Sequence, residues 1–212
     1  MQREETSPLY LHSGTILFIC LYNIRINYII LLFAYFFSIH AGSANDASGL
    51  TQQTGQTQSY ATGDDGQIQK GIPFSDQRFT DNLNGTVTDN LTRLVWMKNA
   101  NCWGMQSWSN ALSKVAGLNA AAETCTGYTS GSHTDWRLPN IREMHSLVDR
   151  GRENPALPSN HPFSGVQSAV YWSATTTNQN IFYAFSVEFY TGYSLMYSKS
   201  DVRYVWPVRG GQ

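Results

Sequence analysis

The chain has 212 residues, a formal net charge of -1, 14% charged residues and 42% hydrophobic residues, among them 6 Trp and 12 Tyr. That is enough apolar material for one substantial core with extensions, while a charged fraction well below the roughly 25% of an average soluble domain points to a surface built from Ser, Thr, Asn and Gln. The near-neutral balance gives no electrostatic reason to expect nucleic acid or an anionic membrane surface as a partner.

The first 44 residues read as a leader. Ile16 to Tyr22 and Tyr28 to Phe37 are apolar but separated by Asn23, Arg25 and Asn27, and neither reaches the roughly 20 residues of a membrane span. The second run has the length of a signal-peptide h-region, with Arg25 before it and Ala41, Gly42, Ser43 and Ala44 after it, which predicts cleavage after Ala44 and an exported protein. An uncleaved anchor from Thr15 to Ile39 is the alternative, and membrane contact would then run through this segment alone. Residues 45–71 are rich in Gly, Ser, Thr and Gln without an apolar period, the composition of a flexible tether.

From residue 72 to 212 the pattern is that of a folded domain. Asn84 and Gly85 mark a tight turn before the alternating Thr86, Val87 and Thr88, and Leu94 to Met97 make a second strand. The run Asp81 to Asp89 has oxygen side chains around a Gly, but counting from Thr80 the twelfth residue is Leu91, where a calcium loop of the EF type needs a bidentate Glu; a pair of turns is the preferred reading. Trp108, Ala111, Leu112, Val115 and Leu118 recur at spacings of three and four and predict an amphipathic helix over Ser107 to Asn119. Cys102 and Cys125 are the two cysteines past the leader. In an oxidising compartment they pair by default, closing a loop of 23 residues and adding roughly 3 kcal/mol, with two separate buried thiols as the alternative.

The segment His133 to Asp149 carries the strongest local signals. Pro139 stops a strand, Asn140 caps the following helix, and Glu143 three residues on completes a capping box. Ile141, Met144, Leu147 and Val148 fall on one helical face. Trp136 is expected to fill core beneath that helix, and Arg137 to pair with a carboxylate or loop carbonyls. Asn154 to Ser168, with three prolines, reads as a long irregular loop of the kind that often carries function. Val170 to Ala174, Phe182 to Phe189 and Tyr193 to Tyr197 read as strands, the last two a hairpin around Thr191 and Gly192. A final strand runs from Tyr204 to Val208, part of it at an edge or bulge because of Pro207. Strands, two helices and more strands make an α+β fold, with two helices packed on an antiparallel sheet and hairpins.

Arg78-Phe79-Thr80-Asp81-Asn82, Asn84-Gly85-Thr86-Val87-Thr88-Asp89, Leu94-Val95-Trp96, Asp135-Trp136-Arg137-Leu138-Pro139-Asn140, Tyr171-Trp172-Ser173 and Val205-Trp206-Pro207-Val208-Arg209-Gly210-Gly211 occur in order. This pattern resembles the bacterial domain family named after the C-terminal domain of the Legionella collagen-like adhesin, from about Ile72 to the C-terminus. Residues 54–57 and 59–66 also resemble the stretch that often precedes this domain. The resemblance implies a C-type-lectin-like layout and an exported, non-catalytic binding module. In the named adhesin that module is trimeric and binds sulfated polysaccharides, so a homo-oligomer is one expectation here. The chain departs from the pattern in lacking a Gly-X-Y collagen repeat and in having Arg93 where the family commonly has Gly after Thr.

On this reading the partner is a glycan, sulfated or neutral, or an envelope protein. Arg150 and Arg152 with His161 form the best polyanion candidate, since arginines hold sulfate or carboxylate by bidentate bonds; with Asp149 and Glu153 among them, a solvated helix end is the plainer alternative. Tyr190, Tyr193, Asn178 and Asn180 on the sheet-end loops would stack on sugar rings and bond hydroxyls. His133, His145 and His161 lack metalloprotease spacing. No Cys follows Cys125 to supply the active-site cysteines of formylglycine-generating enzymes, which the Trp-Arg-Leu-Pro element and closing Arg-Gly-Gly also resemble. No catalytic residue, metal or cofactor is therefore expected.

Overall fold

A computed structural model describes residues 51–75, 77–129 and 133–210. The leader expected over 1–44 and the first residues of the expected tether lie outside these. Among the described residues no helix is long and apolar enough to cross a membrane.

The fold is α+β with two sheets. The first has strand order β1-β2-β3-β9, built from β1 (Phe79–Asp81), β2 (Thr86–Asp89), β3 (Leu94–Met97) and β9 (Val208–Gly210). All its pairings are antiparallel. The second has order β4-β8-β5-β6-β7, from β4 (Met105–Ser107), β8 (Val202–Tyr204), β5 (Val170–Thr176), β6 (Tyr183–Glu188) and β7 (Ser194–Ser198). Here β5 and β8 run parallel, so the expectation of antiparallel pairing holds for every other neighbour but not for this one. The final strand expected from Tyr204 to Val208 is instead two strands in two sheets. Tyr204 ends β8, Val208 begins β9, and Val205 to Pro207 cross between the sheets. Pro207, which has no N–H to give a ladder, sits in that crossing, and its carbonyl accepts from the Met97 amide at 3.0 Å.

Trp206 lies in the crossing, fully buried. Its ring meets Phe163 at 4.9 Å, Tyr171 at 5.5 Å, Phe189 at 5.6 Å and Trp96 at 5.7 Å between centroids. Its indole N–H donates to the Met97 carbonyl at 2.8 Å. Phe163, Ala156 and Leu157 are all buried, so the proline-rich run, irregular as expected, packs into the core. Ala156 both donates to Phe189 O and accepts from Asp149 N.

Three helices are described: α1 (Asp65–Ile68), α2 (Trp108–Asn119) and α3 (Ile141–Ser146). Ser107, expected as the first residue of the helix, caps α2 instead, and Ala111, Val115 and Leu118 are its buried stripe. Asn119 at its end clips the backbone of Trp136 from both sides, each bond 2.8 Å. Trp136 is buried and its N–H donates to the Tyr128 hydroxyl at 3.0 Å. The capping box on α3 is present: Asn140 Oδ1 accepts from Arg142 N and Glu143 N, and Glu143 Oε2 accepts from Asn140 N. The same Glu143 carboxylate takes a bidentate bond from Arg137, whose guanidinium also reaches Gly210 O at 3.0 Å. The helix ends at Ser146, sooner than the apolar stripe suggests, yet Leu147 and Val148 stay buried in the turn that follows.

Cys102 and Cys125 are joined, their Cα atoms 4.9 Å apart. Gly85, at φ +83°, lets the hairpin lie against the loop beneath it: a Cβ there would stand 2.2 Å from Gly127 O. Arg93 adopts φ +63°, the left-handed conformation that favours Gly.

Deep in the first sheet Arg78 and Asp89 form an ion pair, both almost wholly buried, with Nε to Oδ1 at 3.2 Å and Nη2 to Oδ2 at 2.8 Å. The guanidinium lies between the rings of Phe74 and Phe79, at 4.9 Å and 4.7 Å, and also donates to Ser146 O. Removing one partner strands a charge in a dry site. Asp89→Ala should therefore lower unfolding stability by about 3–5 kcal/mol in denaturant melts, and the double variant R78M/D89L should recover most of it. Arg93→Gly should raise stability by about 1 kcal/mol in the same melts.

Candidate functional site

An open groove of about 710 Å³ lies beside α3. One side is α3 and its exit, presenting Arg142, His145, Ser146, Val148 and Arg150, joined by Leu91 and Thr92 of the β2–β3 turn. The other side is a polar strap, Thr51 to Thr54, with Ile72. This strap belongs to the stretch expected as a tether, and the structure lays it on the domain instead. Gln53 N donates to Ile72 O and Ile72 N to Thr51 O, both at 2.9 Å, and Arg150 N donates to Thr54 O at 2.7 Å. The Gln52 side chain donates to Ser146 O at 2.8 Å. Composition misleads here because backbone and amide bonds hold the strap, so it needs no apolar period. Gly55 makes the close approach possible: it has φ +88°, and a Cβ on it would stand 2.1 Å from Asp149 Oδ1.

Every ionisable side chain lining the groove is basic. Arg142 is exposed and forms no ion pair or hydrogen bond through its side chain among the described residues. Arg150 is exposed, with its guanidinium 5.9 Å from the centre of the Tyr193 ring and one N–H directed at Thr191 O at 3.4 Å. His145 hydrogen-bonds Ser194 Oγ through Nε2. Burial, and then the Arg150 charge, holds its pKa below the usual histidine value, so near neutral pH the field of the groove comes from the two arginines.

The residues singled out from the sequence fall in three places. Arg150 lines the groove beside Tyr193. Arg152 and His161 meet in a smaller hollow of about 240 Å³ whose wall also carries Glu153, Asn154 and Asn160. There Arg152 Nε lies 3.6 Å from Asp149 Oδ2, and His161, against Phe163, is held below the usual histidine pKa chiefly by burial. Asn178 and Asn180 stand exposed on the β5–β6 turn, while Tyr190 and Tyr193 stand exposed at the β6–β7 turn. The two turns are separated by the length of β6, roughly 20 Å, so these four side chains do not form one site. Arg142 and the strap were not singled out, although Arg142 and His145 sit three apart on a helix with Arg150 just beyond it, and that spacing is a legible signal.

In the Asp81 to Asp89 run, Asp81 accepts from Lys98 Nζ at 2.6 Å and Asp89 is held by Arg78. The bond from Lys98 keeps the Asp81 carboxyl below its usual pKa. Both carboxylates thus face cations of the chain itself.

Two sheets bridged by an aromatic crossing, one disulfide and an open groove with a basic wall define an α+β module. The chain belongs to the Lcl C-terminal domain family, whose pattern it matches over residues 85–209. A search of curated proteins found no match. The strap lies outside the matched residues, so one wall of this groove is made by sequence upstream of the family pattern.

The two histidines give the fold a pH response. With folded-state pKa values below the unfolded value of about 6.5, the unfolded chain binds more protons as pH falls through that value, and stability is lost. Asp149, whose carboxyl is pushed up chiefly by burial, acts in the opposite sense, losing stability as pH rises through its raised pKa. The melting temperature should therefore drop between about pH 7.5 and about pH 5.5, and the double variant H145N/H161N should flatten that drop in thermal melts at constant ionic strength.

Proposed function

We propose that this protein is an exported, non-catalytic recognition module of the adhesin type, with a lectin-like layout, that holds an acidic polysaccharide in the groove between the strap and α3. The observation that carries this reading is the pair Arg142 and Arg150 on a wall whose ionisable side chains are all basic. A guanidinium presents a planar fork of N–H donors that matches sulfate or carboxylate oxygens, and the open groove admits a chain rather than a single small molecule. Tyr193, stacked near Arg150, offers a face to a sugar ring. Family membership and the disulfide support the reading, the second because such bonds persist in oxidising compartments.

The contacts are exposed, so binding should weaken steeply with salt. The purified protein should bind immobilised heparin or dextran sulfate at low ionic strength and bind neutral dextran at least tenfold more weakly. The double variant R142A/R150A should lose about 1–3 kcal/mol of that affinity, with its melting temperature unchanged. An anion in the groove favours protonated His145, so affinity should increase as pH falls through the histidine's depressed pKa. Equal retention of sulfated and neutral polymers, or undiminished binding by the double variant, would overturn the assignment.

A further inference from the structure

We propose that the turn joining β5 to β6 is a membrane-interface contact, whose residues Ile181 and Phe182 insert among the headgroups of a phospholipid bilayer. Ile181 and Phe182 are consecutive and each 69% exposed, and Tyr183, which opens β6, is exposed after them. Withdrawing adjacent apolar side chains from water is what seats a protein at a bilayer surface. Neither residue lines the groove, and the contact makes no use of Arg142 or Arg150. It belongs to the folded domain, separate from any contact made by the N-terminal segment.

Backbone can enter a bilayer surface cheaply only where its polar groups are already bonded, and this turn meets that condition. Thr177 N donates to Tyr183 O at 3.3 Å and Tyr183 N to Asn180 O at 3.0 Å. Gln179 N donates to Thr177 Oγ1 at 3.2 Å and Phe182 N to Asn180 Oδ1 at 3.0 Å. Phe182 O accepts from Lys199 N at 2.8 Å.

The charges are placed to suit headgroup phosphates. Residues 170–187 carry no charged side chain, so no carboxylate of this stretch is brought against the phosphates with the tip. Lys199, joined to Phe182 by that backbone bond, holds its ammonium 4.0 Å from the centre of the Trp108 ring and has no carboxylate partner among the described residues. Asp201, two residues on, is already matched by Arg203 at 3.3 Å. The turn thus combines apolar side chains, an aromatic ring with a polar end, the exposed amides of Asn178, Gln179 and Asn180, and one unmatched cation. That is the mixture of chemistry that settles at a membrane–water interface.

Depth at this turn can be measured in the full chain. In a Cys20→Ser background, Gln179→Cys and Leu83→Cys each add one free thiol, because Cys102 and Cys125 are joined; both positions are exposed, and Leu83 lies on the β1–β2 turn of the other sheet. With a nitroxide on residue 179, adding vesicles of mixed phosphatidylcholine and phosphatidylglycerol should raise its collision rate with oxygen severalfold relative to that with an aqueous nickel complex. A nitroxide on residue 83 should keep its value in solution. The I181S/F182S double variant should retain its circular dichroism and melting temperature and lose the rise at residue 179. A label at residue 179 that stays in water on these vesicles, as it would if the turn served a protein partner, would overturn the proposal. So would an equal rise at residues 83 and 179, or a rise that survives I181S/F182S.

Discussion

The packing of Trp206 is the constraint on which the two sheets depend. The chain enters from β8 in one sheet and leaves as β9 in the other, and the indole sits in the crossing with its N–H on the Met97 carbonyl of β3. Four rings surround it: Trp96 from the first sheet, Tyr171 from the second, and Phe163 and Phe189 from the segments between. Edge-on and tilted aromatic contacts contribute about 0.5–1.5 kcal/mol each beyond burial. A smaller side chain would leave these rings facing a void, and a core at crystal density does not close such a gap freely. The proline-rich run is drawn in by the same requirement, since Phe163 is one of the walls.

The cations of the domain divide into those already matched and those left over. Arg78, Lys98, Lys114, Arg137, Arg203 and Arg209 each have a carboxylate partner within 4 Å, as does Arg152 at the long end of that range. Arg137 is the most committed of the exposed ones, because its partner Glu143 also caps α3. Arg142 and Arg150 have no such partner among the described residues, and they are the two arginines that line the groove. Lys70, Arg93 and Lys199 also lack one but lie outside the groove lining, so the near-zero net charge conceals a local imbalance, two exposed arginines in the groove with no acid among its lining residues.

Local chemistry with short range was legible in the sequence. Asn140 and Glu143 specify a capping box from four residues, Asn84-Gly85 specifies its turn, and two cysteines in the folded part leave one pairing. Arg93 departs from the Gly of the resembled pattern, which put the turn there in question, and the structure keeps the turn with Arg93 at φ +63°. Long-range choices were less legible. Tyr204 to Val208 is a continuous apolar run, and nothing in it says that the chain changes sheets midway. The strap was illegible because its anchors are backbone groups and amides with distant partners, such as Gln52 on Ser146 O. The candidate ligand residues were gathered by type, and only the sheet connectivity reveals that Asn178 and Asn180 stand at one end of β6 and Tyr190 and Tyr193 at the other.

The groove and the β7 edge share a boundary. His145 of the groove bonds Ser194, the first residue of β7, and Arg150 reaches Thr191 and Tyr193 in the turn that launches the strand. The turn between β6 and β7 therefore fixes where the cationic wall of the groove stands, because both contacts hold side chains of α3 and its exit against that turn.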